Sequence, residues 1–403
     1  MPAEPMRHTI ERRAYGVGYA EPSAFKDTYG GAEGMVFLEC YQLVPEGITS
    51  DTAVIFSHPV GGGGYLPMVT ELARAGNHVI YANSRYRGND SALIMEKVVL
   101  DLAAAIRHAR EKLGYERIVL GGWSGGGALA LFYQQQAVAP SVTATPAGEE
   151  PNLAAADLIP ADAVMLLAAH PSRHRVLCDC IDPSITDERD PETRDPELDL
   201  YARENPNRPP YTQEFLARYR DAQAARVRRI TAGVRERLQE LRERGRPRDE
   251  QAFVVNGTMA DPKVLDATID PNDRAPGVSF LGDPRVVNDG PVGLARFCTL
   301  RSWLSQWSLD DANGDGVRAA ADVTVPALVV SNSADNVCTP GYASALYDAL
   351  AAADKSALTI EGANHYYLGP DQRPHLHRSA RACTAWLAER GLAPGAAPDR
   401  AAR

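Results

Sequence analysis

Residues 117–127, RIVLGGWSGGG, place five glycines around one serine directly after an apolar run. A stretch of this kind either cradles a phosphate group or forms a sharp turn that presents Ser124 as a nucleophile. A phosphate-binding P-loop ends with a lysine and a serine or threonine, and this stretch has no lysine. A dinucleotide fingerprint follows the first strand of its βαβ unit and has an acidic residue at the end of the next strand. These glycines follow a later strand without that acid, so both phosphate interpretations are weak.

The same stretch matches the motif G-x-S-x-G at residues 122–126, between an apolar strand and a helix of small residues. This context is typical of a nucleophile elbow, in which the chain reverses from strand to helix and strains the serine. Side chains at Gly122 and Gly126 would collide in such a turn. The amino end of the following helix would face negative charge that develops during a reaction. The motif therefore predicts that Ser124 is a nucleophile.

Around this motif, short apolar runs alternate with helical patterns. Nearly continuous apolar runs separated by helices are typical of parallel strands that are covered on both faces. We predict strands at 35–43, 52–58, 78–84, 117–122, 163–169, 327–333 and 357–363, and helices at 65–76, 91–114 and 127–136.

The alternation breaks between residues 171 and 322 and resumes afterwards. We therefore predict a core domain in two parts, 1–170 and 323–403, with a cap inserted at 171–322; the alternative is an independent second domain. The inserted block contains an arginine-rich helix at about 212–244 with an apolar stripe. Its arginines are expected to face water beside acidic residues, or else to attract an anionic substrate. Trp303 and Trp307 are expected in the core of the cap.

A reactive serine needs a general base, and the base needs an acid that orients it. His365 follows the last predicted strand, and Asp335 follows the strand before it. The chain order is therefore Ser124, Asp335, His365, which is the order of α/β-hydrolases. The remaining histidines lie outside the core, in strands or in helices, and fit the role of base less well.

The oxyanion formed during acyl transfer needs backbone N–H donors. One is predicted at Gly125, directly after the nucleophile. The second is predicted at Val60 in the glycine-rich loop that follows the strand 52–58, because Pro59 has no N–H. The residues expected to line the substrate pocket are Trp123, His58, His170 and Tyr366.

The chain resembles the α/β-hydrolase superfamily, in its serine-hydrolase, esterase-like branch with an inserted cap. The resemblance covers about residues 35–170 and 323–390 and rests on residues 122–126, Asp335, His365 and the His58-Pro59 loop. It implies a mostly parallel central sheet with helices on both faces and a large, mainly helical cap inserted after the strand that ends near residue 169. Many members have His-Gly where this chain has His58-Pro59, so the chain departs from the family pattern at the loop that is expected to supply an oxyanion donor.

These features predict a serine hydrolase that cleaves an acyl bond, above all a carboxylic ester, through an acyl-enzyme and without a cofactor. The same triad could also hydrolyse a lactone, an amide or a carbon–carbon bond next to a ketone. A protein of another class, a non-catalytic binding protein on this scaffold, is the remaining alternative. The partner is expected to be a small acyl substrate, and the sequence leaves a homodimer open.

The composition limits the other classes of function. The chain has 403 residues and a formal net charge of −10 at pH 7, which argues against general binding to nucleic acid. Residues 1–25 show no secretory pattern, and no apolar run is long enough to cross a membrane. Six scattered cysteines indicate reduced thiols in a cytoplasmic protein, and the pair Cys178 and Cys180 does not predict a zinc site. Residues 310–322 resemble a calcium loop, although a structural turn is the favoured interpretation.

Overall fold

The computed structural model describes residues 7–21, 28 and 34–394; the other parts of the amino-terminal stretch 1–25 lie outside the described residues. In the described part of the chain the strands are β1 Ile10–Ala20, β2 Met35–Pro45, β3 Thr52–His58, β4 Val79–Asn83, β5 Arg117–Trp123, β6 Ala163–Leu167, β7 Ala252–Val254, β8 Phe297–Thr299, β9 Ala327–Asn332 and β10 Lys355–Ile360. The helices are α1 Pro67–Arg74, α2 Met95–Glu111, α3 Gly125–Val138, α4 Arg173–Cys180, α5 Gln213–Glu243, α6 Pro262–Leu265, α7 Pro284–Asn288, α8 Leu300–Gln306, α9 Gly316–Ala320, α10 Pro340–Ala349 and α11 Arg373–Glu389.

Eight strands form one mixed sheet in the order β1-β2-β4-β3-β5-β6-β9-β10. Strand β2 pairs antiparallel with both of its neighbours, and all other pairs are parallel. Strands β3, β5, β6 and β9 are buried almost throughout, which explains why their sequences are continuous apolar runs.

Helices cover both faces of this sheet. Alternate residues of β3 point to opposite faces, so Ala53 and Ile55 pack with α2, α3, α9 and α10, whereas Val54 and Phe56 pack with α1 and α11. Each face therefore has its own apolar core, and the central strands are shielded from water on both sides.

Strand β1 is an edge strand that the hydrophobic pattern does not predict. It pairs with β2 along all 11 of its residues, but most of its side chains, including Glu11, Arg12 and Arg13, are exposed. A strand that buries so few side chains carries no apolar run. Its backbone pairing, rather than side-chain burial, attaches it to the sheet.

Residues 168–326 separate β6 from β9, although these two strands are hydrogen-bonded neighbours in the sheet. Within this segment the apolar stripe of α5, from Val227 to Leu241, is buried against Trp303, Trp307 and Leu177. The two tryptophans are almost fully buried, as expected for an internal core. Helix α9 instead packs against α3, and its alanines belong to the core of the main sheet.

Most arginines of α5 are paired with acidic side chains. Arg228 binds Asp310, Arg229 binds Glu188 and Arg235 binds Asp311 at the protein surface. Arg226 differs, because its side chain is 1% exposed and it donates to Glu188 and to three backbone carbonyl oxygens. The charged face of α5 is thus neutralised within the insertion. No helix of the described chain combines the length and apolar character needed to span a bilayer.

Candidate active site

Ser124 lies between the end of β5 and the start of α3, in a backbone conformation that non-glycine residues rarely adopt. Its φ is 50° and its ψ is −120°. The Ser124 N–H donates to the carbonyl oxygens of Leu167 and Ala168 at 3.2 and 3.1 Å, and its own carbonyl accepts the Gly127 N–H at 3.0 Å. These bonds from both sides hold the strained residue in place, and such strain is typical of functional positions.

The glycines around Ser124 allow this turn because neighbouring backbone atoms occupy the space of a side chain. A Cβ built on Gly122 would lie 2.5 Å from Gly127 Cα, and one on Gly126 would lie 2.4 Å from the carbonyl oxygen of Ser57. The expected collisions at Gly122 and Gly126 are therefore confirmed. The turn brings the start of α3 directly against β3 and β5.

Asp335 and His365 form a buried pair in the loops that follow β9 and β10. The Asp335 carboxylate is fully buried; its Oδ1 accepts the N–H groups of Val337 and Cys338 at 2.7 and 2.8 Å. Its Oδ2 lies 2.7 Å from His365 Nδ1. Because an ionised carboxylate only accepts hydrogen bonds, Nδ1 carries the proton and Nε2 is the basic nitrogen of His365. This Nε2 is buried and has no hydrogen-bond partner among the described residues.

The remaining predicted pocket residues surround this pair and the turn. Trp123 packs edge-on against His365 with ring centroids 5.7 Å apart, and Tyr366 contacts His365 at 4.6 Å. His58 and His170 lie on the other side, where a Cβ on Gly125 would be 2.9 Å from His58 Nε2 and 3.1 Å from His170 Nε2. All of these residues lie at or just after the carboxyl ends of parallel strands, and these ends meet at one edge of the sheet.

No family model and no curated protein matches the sequence. Among solved structures, the siderophore hydrolase EstB from Aspergillus fumigatus is 12% identical, with a TM-score of 0.50 over 87% of this chain and 94% of that chain. The chain has the α/β-hydrolase fold. The predicted sheet and its covering helices are thereby confirmed.

Two further solved structures also match this chain. Est1E from Butyrivibrio proteoclasticus is 13% identical, with a TM-score of 0.45 over 90% of this chain and 97% of that chain. A monoacylglycerol lipase from Paleococcus ferrophilus is 15% identical, with a TM-score of 0.44 over 87% and 98% of the two chains.

The second predicted oxyanion donor is already engaged. The Val60 N–H donates to His58 Nδ1 at 3.3 Å. The next N–H groups of the loop are also taken, since Gly61 donates to the His58 carbonyl at 2.8 Å and Gly62 donates to Asn83 Oδ1 at 2.7 Å. The Gly125 N–H, by contrast, is in the first turn of α3, where backbone donors have no partner within the helix.

Arg173 is a residue near the site that the sequence reasoning does not identify. It begins α4, has a side chain that is 9% exposed, and stacks on Trp307 at 4.2 Å while it binds Asp90. Burial lowers the pKa of His170 well below its usual value, and the charge of Arg173 lowers it further. The only sequence signal is its position three residues after His170, at the edge of the sheet.

Cys338 is a second such residue. Burial and the negative charge of Asp335 raise the pKa of its thiol well above the usual value, while a hydrogen bond with Ser124 opposes this shift. Within the described ranges, Asp335, Cys338 and His365 are the one group of histidine, cysteine and acidic side chains close enough to share a metal ion, with atoms within 4.8 Å of one another. Both Asp335 oxygens of this group already accept hydrogen bonds. Cys338 thus links the acid loop to Ser124.

The calcium-like residues at 310–322 do not converge on one point. Asp311 binds Arg235 and Ser308, Asn313 binds Glu96, and Asp315 caps α9 and binds Arg175. Because each side chain has a different partner, the chain between α8 and α9 forms a structural turn. The six cysteines, including Cys178 and Cys180, are free thiols.

Proposed function

We propose that the protein is a serine hydrolase that cleaves a carboxylic ester through Ser124, His365 and Asp335. The observation that carries this proposal is the strained turn at Ser124 beside a buried imidazole whose Nδ1 is held by a carboxylate. A strained serine with no nearby base would not be activated as a nucleophile, and a histidine paired with a carboxylate but with no nucleophile would be an ordinary ion pair. Their combination at the carboxyl edge of the sheet supports acyl transfer.

In the first half of the reaction, Ser124 Oγ attacks the ester carbonyl carbon and passes its proton to His365 Nε2. Asp335 keeps the Nδ1 proton in place and stabilises the imidazolium cation. The carbonyl oxygen becomes an oxyanion that the Gly125 N–H stabilises at the start of α3. Collapse of this intermediate breaks the bond to the alkoxy oxygen, and His365 gives its proton to the departing alcohol.

In the second half, water attacks the acyl-enzyme and gives a proton to His365 Nε2. The bond between the acyl carbon and Ser124 Oγ then breaks, the carboxylic acid leaves, and Ser124 regains a proton from His365. The cycle consumes one water and needs no cofactor. We propose that residues 171–322 form a cap over the site. This segment comes after β6, which ends next to Ser124, and it contributes Arg173, whose charge acts on His170.

A labelling experiment with a fluorophosphonate probe tests this function. We expect the parent protein to be modified at Ser124 and to hydrolyse a short p-nitrophenyl ester. Loss of the nucleophile in Ser124→Ala should abolish labelling and reduce hydrolysis to the small residual rate that substrate binding and the oxyanion donors supply. Mass spectrometry of the labelled peptide identifies the modified serine.

The matched control is Ser331→Ala, since Ser331 lies in β9 and its hydroxyl bonds only to Thr359 at 3.0 Å. This variant should keep the full rate. A parent protein that is neither labelled nor active on esters of graded chain length, aryl esters and lactones would favour a non-catalytic binding protein instead.

A further inference from the structure

The side chain of His58 lies beside Gly125, the residue predicted to supply the first oxyanion donor. We propose that His58 donates a hydrogen bond from Nε2–H to the oxyanion, alongside the Gly125 N–H and in place of the Val60 N–H. This inference rests on the proposed serine hydrolase function and adds a catalytic residue to it. It also explains how a loop with proline at position 59 can serve the site.

The hydrogen bonds around His58 determine which ring nitrogen carries the proton. Its Nδ1 accepts the Val60 N–H at 3.3 Å, so Nδ1 must offer a lone pair. A neutral imidazole has one donor and one acceptor nitrogen, and the proton is therefore on Nε2. Among the residues that the structure describes, no hydrogen bond engages His58 Nε2.

The position of Nε2 relative to the nucleophile supports its role. A Cβ on Gly125 would lie 2.9 Å from His58 Nε2, so the imidazole edge packs against the residue that supplies the first oxyanion donor. The two donors are thus neighbours beside Ser124. Oxyanion sites require such convergence, because two or more donors must point at the position where the negative charge develops.

Burial and neighbouring charge keep the ring of His58 neutral. Burial lowers the pKa of His58, and the neighbouring Arg173 and His365 lower it further, to about 3. His58 is consequently a donor with one proton throughout the neutral pH range, rather than an imidazolium or a competing base. A neutral donor beside His365 leaves proton transfer to His365 alone.

The first test compares three substitutions of His58. Glutamine reaches about as far as histidine and keeps an N–H near Nε2, whereas asparagine carries its amide near Nδ1, and leucine has no donor. We expect His58→Asn and His58→Leu to lower kcat by about 10² to 10³ with little change in KM, since one oxyanion donor is lost. His58→Gln should recover most of this loss. Equal rates for all three variants and the parent would overturn the proposal.

Failure of the role proposed for His58 can be distinguished from failure of the proposed hydrolase function. The unsubstituted protein is assayed first for fluorophosphonate labelling at Ser124 and for ester hydrolysis. A parent that fails both assays contradicts the serine hydrolase itself. A labelled and active parent, together with a His58→Asn variant of undiminished kcat, contradicts only the role of His58. An equal loss in the glutamine, asparagine and leucine variants, with matching losses of thermal stability, would assign His58 a purely structural role.

A second measurement uses the parent protein, so its outcome does not depend on whether a His58 variant folds. Nuclear magnetic resonance of protein labelled with ¹⁵N in its histidines distinguishes the two tautomers through long-range couplings between ring protons and nitrogens. We expect His58 to be protonated at Nε2 and not at Nδ1 from pH 6 to pH 8. Its Nε2 proton should also shift downfield when a trifluoromethyl ketone forms a hemiketal with Ser124. Protonation at Nδ1, or no shift on adduct formation, would overturn the proposal.

Discussion

The hydrogen bonds of Asp335 predict a specific consequence of its replacement by asparagine. Oδ1 accepts two backbone N–H groups, from Val337 and Cys338, while Oδ2 faces His365 Nδ1. In Asp335→Asn the amide oxygen must stay with the two N–H donors, so the NH₂ group is forced towards His365. Two donors cannot share one hydrogen bond, and His365 therefore gives up the Nδ1 proton and holds its proton on Nε2. In that tautomer Nε2 cannot accept the proton of Ser124.

The loss follows from this change of tautomer rather than from lost packing, since the two side chains have nearly the same shape. We expect kcat to fall by about 10⁴, a loss of transition-state stabilisation of about 5 kcal/mol. Initial rates on a p-nitrophenyl ester, with thermal unfolding to verify the fold, measure it. The control is Asp354→Asn, because Asp354 binds Arg390 at the surface and should leave the rate unchanged. An Asp335→Asn variant that keeps more than about a tenth of the parent kcat would refute this reasoning.

Two further predictions concern stability. Gly122→Ala places a Cβ within 3 Å of three backbone atoms and should lower the free energy of unfolding by about 1–3 kcal/mol. Gly233→Ala, in the middle of α5 with open space around it, should instead raise the free energy of unfolding by about 0.4–1 kcal/mol. Urea denaturation compares the two variants, and equal midpoints would contradict the account of the turn. Burial of Asp315 raises its pKa, but hydrogen bonds from His174 and Arg175 and from the backbone of α9 outweigh this effect and lower the pKa overall. The resulting stabilisation is complete above the unfolded pKa of about 3.9 and declines as the pH falls below it. Asp315→Asn should therefore lower the free energy of unfolding by about 2 kcal/mol at pH 7 and by progressively less below pH 4. A difference in that free energy that stays constant with pH would argue against this account.

The central sheet is predictable because burial on both faces leaves a strong signal in the sequence. The strand predicted at 52–58 coincides with β3, and the others differ from the observed strands by a few residues at their ends. Helix α2 covers residues 95–111 rather than 91–114, because Ile94, which continues the apolar spacing of the helix, has an extended backbone and precedes its first turn. Strand β1 escapes prediction because its stability comes from backbone pairing, which the side-chain pattern does not report.

The candidate site divides in a similar way. The turn at Ser124 is encoded locally, because the motif and the flanking strand and helix are contiguous in the sequence. Asp335 and His365 are predictable from strand order alone. Arg173 and Cys338 are not, since their proximity to the site depends on how separate loops converge. The direction of the Val60 N–H is likewise decided by the fold of its loop around His58, which no spacing rule describes.

The insertion and the site share their first residues, which matters for protein engineering. His170 closes on Gly125, and Arg173, three residues later, is the cation whose charge acts on both His58 and His170. An exchange of the proposed cap that begins at residue 173 would therefore remove the charge that acts on His58, the proposed oxyanion donor. A junction placed after Cys180, at the end of α4, would keep that charge and exchange only the rest of the insertion. The useful junction for exchanging the insertion thus lies after α4 rather than at the end of β6, where the insertion leaves the sheet.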